Sequence, residues 1–294
     1  MSYSHGHPHS LNFGSTMEEV SEDESELNVL MAAVNEIKEN PSANRLLVTT
    51  IIDSIEHFSD GLDSLSSRSQ WEGPSGDIIL LVEAVLELTH VMDSRSRGRL
   101  QLLMGINYAR TLDHCLAIRC LESARELLSP EIMEGEEEET KERKERAQDE
   151  MKGRKDAWRQ YCAQCLSALG SEYQATQEEE KAEEAIFKAL QLYTALNEET
   201  PEVESLYGYI LCRRGKPSEG VAHLARSTKP ILDRVMDEKD QPINRMESIM
   251  LSRWATGCLL SAQFGLARQI YDRLLSTQDS EILFTASLGL ARFD

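Results

Sequence analysis

The clearest structural signal in the sequence lies at residues 163–194, which read AQCLSALGSEYQATQEEEKAEEAIFKALQLYT. In the first half, the residues that recur at helical spacing are Leu166, Leu169, Gly170 and Tyr173. In the second half, they are Ala182, Ile186 and Ala189. This periodicity places each set on one face of a helix, with a short turn between the two helices. Because Gly170 and Ala182 are small, we expect Gly170 to lie close to a neighbouring helix, and the pair must stack on others to cover its apolar faces.

Three other stretches carry the same pattern. The copy that opens at Gly98 has Met104, Gly105, Tyr108, Ala117, Leu121 and Ala124 at the equivalent positions. The copy that opens at Pro201 has Tyr207, Gly208, Leu211 and Leu224, with Gly220 in place of alanine. The copy that opens at Ser248 has Leu251, Trp254, Ala255, Cys258, Ala267 and Tyr271. Recurrence of one helix pair along a single chain predicts a helical repeat protein.

These copies resemble the tetratricopeptide repeat (TPR), a 34-residue helix-turn-helix unit. The resemblance implies an all-α fold, an α-solenoid of helical hairpins, with TPR-like repeats at residues 98–131 and three more within residues 163–279. Residues 132–162, 197–200 and 235–247 separate the copies, so we expect an irregular array. A final segment, residues 280–294, is expected to form a closing helix.

The remaining segments differ from the repeats in composition. Residues 1–24 are rich in acidic residues and have no apolar periodicity, which predicts a disordered acidic tail. Residues 25–97 predict N-terminal helices that can be divergent helical pairs, with a loop at residues 59–76 and a short basic break at residues 94–99. Residues 132–162 predict a charged helical insert that interrupts the array, because few apolar residues occur in it.

Charge and length narrow the classes of partner. Acidic residues outnumber basic ones by 51 to 31, which gives a formal net charge of −20. Such a surface repels phosphates, so we expect no nucleic-acid partner. The longest aliphatic run, residues 78–82, is too short to span a bilayer, and the first 26 residues contain no signal-peptide core. We therefore expect a soluble protein, cytoplasmic and/or nuclear, whose six cysteines are reduced thiols.

Sequence patterns for catalysis or metal binding are weak. Phosphate-binding glycine loops, the G-x-S-x-G elbow and the H-E-x-x-H motif do not occur in the sequence. Cys162 and Cys165 have zinc or redox spacing, but they lie within a helical pattern and have no second pair, so we interpret them as core residues. His5, His7 and His9 alternate without a folded second shell to fix a metal. We predict no catalytic residues, no metal and no cofactor, and the protein is not expected to be an enzyme.

The resemblance also indicates where a partner would bind. In TPR proteins, ligands usually lie along the concave groove lined by the first helix of each pair. Carried onto this sequence, the candidate partner groove comprises Asn107, Arg110, Ser171, Gln174, Tyr209, Arg213, Arg253 and Thr256. Arg110 and Arg213 occupy the same place in their copies, and arginine suits bidentate contact with carboxylates. The groove is expected to bind an acidic segment, unless these arginines pair with acidic residues of the chain itself.

One subclass of TPR proteins binds the acidic C-terminal tails of heat-shock chaperones. That subclass requires an asparagine directly after the small residue of the first helix, where this chain has Ile106, Ser171 and Tyr209. An expected lysine is replaced by Ile249, although Arg253 matches an arginine of the subclass. Chaperone tails are therefore not the expected ligand.

The sequence thus favours an adaptor or a subunit of a multiprotein complex, which holds a partner peptide or helix in a helical groove. Two alternatives remain open. A helical-scaffold enzyme, or the regulatory subunit of one, would require a deep pocket with convergent polar groups. An RNA-binding helical repeat would require a basic stripe, which the net charge disfavours.

Overall fold

The computed structural model describes residues 22–39, 45–64, 74–88, 92–128, 147–237, 242–277 and 279–293. These residues form twelve α-helices, and no strand occurs among them. The helices are α1 (Glu22–Glu39), α2 (Arg45–Ser64), α3 (Pro74–Leu86), α4 (Ser94–Arg110), α5 (His114–Leu127), α6 (Ala147–Ala175), α7 (Glu179–Leu196), α8 (Pro201–Arg213), α9 (Pro217–Asp237), α10 (Arg245–Leu260), α11 (Phe264–Leu274) and α12 (Ser280–Leu290). The predicted all-α fold is confirmed.

Consecutive helices pack as hairpins, and the hairpins stack along the chain. The four hairpins are α4/α5, α6/α7, α8/α9 and α10/α11, and each packs against the next. The first helices α8, α10 and α12 also contact one another in succession. This is the irregular TPR-like hairpin array that the sequence predicts.

Small residues allow the two helices of a hairpin to approach closely. A Cβ on Gly170 would collide with the side chain of Ile186 on α7, so the predicted close approach at Gly170 is confirmed. In the third hairpin, a Cβ on Gly208 would lie 2.6 Å from the carbonyl oxygen of Gly220. Gly220 therefore replaces alanine at the point where the two backbones come closest.

The core is distributed along the array, as expected for a solenoid. One apolar cluster joins α1 to α4, a second joins α4 to α8, and a third joins α8 to α12. Trp254 lies in the third cluster and is only 4% exposed. Within the described ranges, no helix is both long enough and apolar enough to cross a membrane.

The basic stretch at residues 94–99 is not a break, which corrects the sequence interpretation. It forms the start of α4, because the Asp93 carboxylate accepts a hydrogen bond from the backbone N–H of Ser96 at 2.7 Å and caps the helix. Both ends of the predicted loop at residues 59–76 are also helical, which corrects the sequence interpretation there. Helix α2 extends to Ser64, and α3 begins at Pro74, a residue well suited to the first turn of a helix.

Arg99, within that basic stretch, connects three helices. Its guanidinium donates to Glu56 at 2.7 and 2.5 Å and to Asp53 at 2.5 Å, both on α2. The ring of Tyr161 on α6 lies 5.2 Å from the guanidinium. Burial alone would lower the pKa of Arg99, but the hydrogen bonds to Glu56 and Asp53 outweigh it and raise that pKa. Arg99 therefore ties the N-terminal helices to the hairpin array.

Two predicted segments fall partly outside the described ranges. The predicted acidic tail covers residues 1–24, but residues 22–24 belong to α1. Residues 1–21 lie outside the described ranges. The predicted charged insert covers residues 132–162, and residues 129–146 lie outside the described ranges. Helix α6 runs unbroken from Ala147 to Ala175, so the expected boundary at residue 162 falls inside a helix. Trp158 lies before that boundary and is nevertheless buried in the core.

Candidate functional site

The first helices of the four hairpins share one register. Each has a small buried residue, at Gly105, Gly170, Gly208 and Ala255, and the three glycines lie against the second helix of their hairpin. The next residue is partly exposed in every hairpin, at Ile106, Ser171, Tyr209 and Thr256. The residue after that is buried in every hairpin, at Asn107, Glu172, Ile210 and Gly257. The partly exposed row is the surface that a partner could reach.

Asn107 does not belong to this surface, which corrects its placement in the groove. It is fully buried, and its side-chain amide donates to the carbonyl oxygen of Leu103 at 2.8 Å. Its amide oxygen accepts a hydrogen bond from Arg110 at 3.1 Å. One residue rotates the helix by about 100°, so the exposed equivalent in this hairpin is Ile106.

The other N-terminal candidates are only partly accessible. Arg110, Ser171 and Gln174 are all half-buried. Arg110 uses part of its guanidinium for Asn107. Within the described ranges, no hydrogen bond or ion pair joins Ser171 or Gln174 to the candidates on α8 and α10. The predicted groove residues therefore divide into two sets.

The candidates on α8 and α10 lie on two first helices that pack against each other. The guanidinium of Arg213 lies 5.9 Å from the centre of the Tyr209 ring, one turn further along α8. Burial lowers the pKa of Arg253 on α10, and Tyr209 on α8 offsets part of that effect. Burial raises the pKa of Tyr271 on α11. The hydroxyl groups of Tyr271 and Thr256 are 3.1 Å apart. Tyr209, Arg213, Arg253 and Thr256, with Tyr271 beside them, are called the tyrosine-arginine cluster below.

The two arginines of this cluster have different surroundings. Arg213 forms an ion pair with Glu179 on α7, with 2.6 Å between Nε and the carboxylate oxygen. The Tyr209 hydroxyl and the Glu179 carboxylate both raise the pKa of Arg213. Arg213 therefore already has a carboxylate partner, and the ion pair joins the second hairpin to the third.

Arg253 has no such partner. Within the described residues, no carboxylate forms an ion pair or a hydrogen bond with it. Burial lowers the pKa of its guanidinium to about 10, and proximity to Tyr209 opposes this effect only in part. A partly buried cation without a counter-ion is costly, so an anionic group from outside would be stabilised beside it.

The hydroxyl groups of the cluster limit how an anion could be held. Thr256 donates to the carbonyl oxygen of Ser252 at 2.9 Å. Its hydroxyl hydrogen is thereby used, so Tyr271 is the donor in the Tyr271–Thr256 contact. The Tyr209 hydroxyl accepts a long hydrogen bond from Arg213 at 3.5 Å and keeps its own hydrogen available. Arg253 and the Tyr209 hydroxyl therefore both keep hydrogens available for a carboxylate, and Arg253 is the one whose charge is not neutralised by a described carboxylate.

Sequence reasoning missed three contributors to this site. Glu179 neutralises Arg213, Tyr271 orients Thr256, and α12 carries exposed apolar residues next to α10. The acidic run at residues 178–180 opposite the basic run at residues 213–216 was the available signal for the Glu179 contact. No local pattern reveals the other two, because they depend on stacking between hairpins.

The cysteine candidates lie inside the array. Cys165 donates to the carbonyl oxygen of Leu121 at 3.2 Å, and Cys162 donates to that of Leu128 at 2.7 Å. Burial raises the pKa of both thiols to about 12. His5, His7 and His9 lie outside the described residues. In the part of the chain that is described, no group of three or more potential ligand side chains could hold a metal ion.

Comparison with solved structures finds proteins of the same fold at low sequence identity. BtubC (BKLC) from P. vanneervenii aligns with a TM-score of 0.56 and 14% identity, over 93% of this chain and 92% of its own. RapI in its apo form aligns with a TM-score of 0.50 and 11% identity, over 93% of this chain and 82% of its own. YrrB, described as a TPR protein with an unusual peptide-binding site, aligns with a TM-score of 0.48 and 13% identity, over 90% and 98%.

No protein-family model matches the sequence, and no curated protein is significantly similar to it. The structural matches establish the fold alone, because all of them are far below 25% identity. The predicted resemblance to TPR proteins is confirmed as a resemblance in fold. The chain is a TPR-like α-solenoid.

Proposed function

We propose that this chain is a protein-interaction scaffold, an adaptor or a subunit of a multiprotein complex, which binds an acidic segment of a partner protein at the tyrosine-arginine cluster. The observation that carries the proposal is Arg253, a partly buried guanidinium with no carboxylate partner among the described residues. A carboxylate of the partner would accept hydrogen bonds from Arg253 and from the Tyr209 hydroxyl. Charge-assisted hydrogen bonds of this kind contribute about 1.5–3 kcal/mol.

The surrounding charge supports an acidic segment over a basic one. Arg213 is neutralised by Glu179, so Arg253 supplies the uncompensated charge of the cluster. The net charge of −20 slows the approach of an acidic partner, since like charges repel at long range. Short-range contact with a desolvated arginine offsets that repulsion because electrostatic attraction is stronger where water is excluded. Binding should therefore be more sensitive to Arg253 than to any exposed arginine.

The test compares Arg253→Gln with Arg268→Gln, an exposed arginine on the second helix α11. Each variant is used as bait in affinity purification from cells that express the protein, and recovered proteins are quantified by mass spectrometry. We expect Arg253→Gln to lose at least about tenfold of the recovered partner, the equivalent of about 1.4 kcal/mol. Arg268→Gln should recover the same partner as the unmodified chain.

Thermal stability separates loss of binding from loss of fold. Arg253→Gln removes a charge that lacks a partner, so its Tm should stay the same or rise. Arg213→Gln leaves Glu179 without its cation, so its Tm should fall. The proposed function would be ruled out if Arg253→Gln recovered its partners fully. It would also be ruled out if the unmodified chain bound partners only through basic segments.

A further inference from the structure

Helix α12 lies beside α10, in the position that the first helix of another hairpin would occupy. Gly289 lies against Tyr271 of α11, as Gly257 lies against Leu224 of α9. This equivalence aligns Leu288 with Thr256, since each directly precedes its glycine. The row of partly exposed positions that contains Tyr209 and Thr256 therefore continues onto α12 at Leu288.

The part of the row on α12 is apolar and strongly exposed. Phe284 is 65% exposed and Leu288 is 53% exposed. They are one helical turn apart and lie on the same face. Of the residues equivalent to Phe284 in the four hairpins, Leu102, Ser205 and Ser252 are buried and Ser167 is half-buried. Because Gly289 lies against Tyr271 of the tyrosine-arginine cluster, helix α12 carries this exposed apolar pair close to the cluster.

We propose that this face of α12 is the apolar half of the binding site, and that it takes a large apolar side chain from the same partner segment whose carboxylate meets Arg253. The inference rests on the proposed function. Axes of packed helices are about 8–10 Å apart, and an extended peptide rises about 3.3 Å per residue. The apolar residue of the ligand therefore lies about two to four positions from its acidic residue.

An apolar contact beside the carboxylate contact has a physical reason in the net charge of the chain. A carboxylate alone must approach a protein whose net charge is −20. Apolar contact does not depend on charge, so it adds affinity that the repulsion does not reduce. Together the two contacts select an acidic segment with an apolar side chain at a defined distance, and they reject segments that are acidic throughout.

The test uses a random dodecapeptide phage library panned on the full chain. Enriched peptides are synthesised with a fluorescent label, and Kd is measured by anisotropy against the unmodified chain, Arg253→Gln, and the double variant Phe284→Ser with Leu288→Ser. Phe187→Ser on α7 is the matched control, since Phe187 is also an exposed large apolar residue, at 47%. We expect enriched peptides to carry Asp or Glu with a large apolar residue two to four positions away.

The double variant should weaken these peptides by at least about tenfold, and Phe187→Ser should leave Kd unchanged. Replacing the apolar residue of the peptide by alanine should weaken binding to the unmodified chain and have no effect on the double variant, a result that impaired folding cannot imitate. Acidic peptides without an apolar preference, or a double variant with unchanged Kd, would overturn the inference and leave the proposed function standing. If the enriched peptides lack acidic residues and bind Arg253→Gln with the same Kd as the unmodified chain, both the inference and the proposed function are overturned. A dimer in sedimentation that the double variant abolishes would assign the face to a second copy and overturn the inference alone.

Discussion

At the residue scale, the most informative contrast is between Arg213 and Arg253. Both are arginines of first helices, and both were predicted from the sequence to line a groove. Glu179 holds Arg213 at 2.6 Å, whereas no described carboxylate pairs with Arg253. One arginine therefore stabilises the junction between two hairpins, and the other remains available to an external anion.

Glycines within α6 allow a second test at the same scale. A Cβ at Gly170 would collide with Ile186, while a Cβ at Gly153 would have no neighbour within 4 Å. Gly170→Ala should destabilise the fold by about 1–3 kcal/mol, because the core must move to accept the methyl group. Gly153→Ala should stabilise the same helix by about 0.5–1 kcal/mol, since alanine favours helix over glycine. Chemical denaturation with helical circular dichroism measures both, and equal effects would contradict the close packing at Gly170.

At the element scale, the four hairpins share a turn of one geometry. The middle residue of each turn has a positive φ, at Leu112 (61°), Gln177 (65°), Gly215 (79°) and Ala262 (60°). Only the third hairpin has the residue that this conformation favours. The other three turns form because the packed helices fix their geometry. The backbone strain of the positive φ is offset by apolar packing in the hairpin core.

This turn geometry predicts opposite effects for two substitutions. Leu112→Gly should raise the free energy of unfolding by about 0.5–1 kcal/mol, because glycine adopts a positive φ without strain. The Leu112 side chain is 74% exposed, so little apolar burial is lost. Gly215→Ala should lower the free energy of unfolding by about 1 kcal/mol for the same reason. Differential scanning calorimetry measures both, and a destabilised Leu112→Gly variant would contradict the account of this turn.

At the scale of the whole molecule, the array has an N-terminal part joined to the hairpins through Arg99. The first apolar cluster belongs to α1 to α4, and Arg99 links α2 with α4 and α6. Arg99 is 9% exposed and the Glu56 side chain is largely covered, so the ion pair between them is better shielded than pairs at the surface. The junction therefore depends on one buried guanidinium as well as on apolar contact.

Loss of that guanidinium should loosen one end of the molecule selectively. Arg99→Gln leaves Glu56 without its cation, and we expect a cost of about 2–3 kcal/mol. Native-state hydrogen exchange should show faster exchange in α1, α2 and α3, with α8 to α12 unchanged. Arg159→Gln is the control, because Arg159 forms an exposed pair with Asp156 that should contribute less than about 1 kcal/mol. Uniform acceleration along the whole chain would show that Arg99 supports the global fold instead of a junction.

The four hairpins were predictable from the sequence because their signals are local. Apolar spacing defines the helices, and small residues such as Gly105 and Gly170 mark where two helices of one hairpin touch, all within a few turns of chain. The helical start at residues 94–99 was missed because Arg99 reads as a solvated charge until α2 supplies Glu56 and Asp53. The placement of Asn107 was wrong by one residue, and that rotation was enough to turn it into the core.

What the sequence determined alone is the repeating helix pair, since helical period and small-residue spacing act over short distances along the chain. Only the tertiary structure decided which arginine is neutralised and which is not, because Glu179 and Arg213 belong to different hairpins. It also decided that α12 packs against both α10 and α11, with Gly289 against Tyr271 of the tyrosine-arginine cluster. Contacts between hairpins depend on how separate elements are oriented in space, and residue spacing within one element carries no information about that orientation.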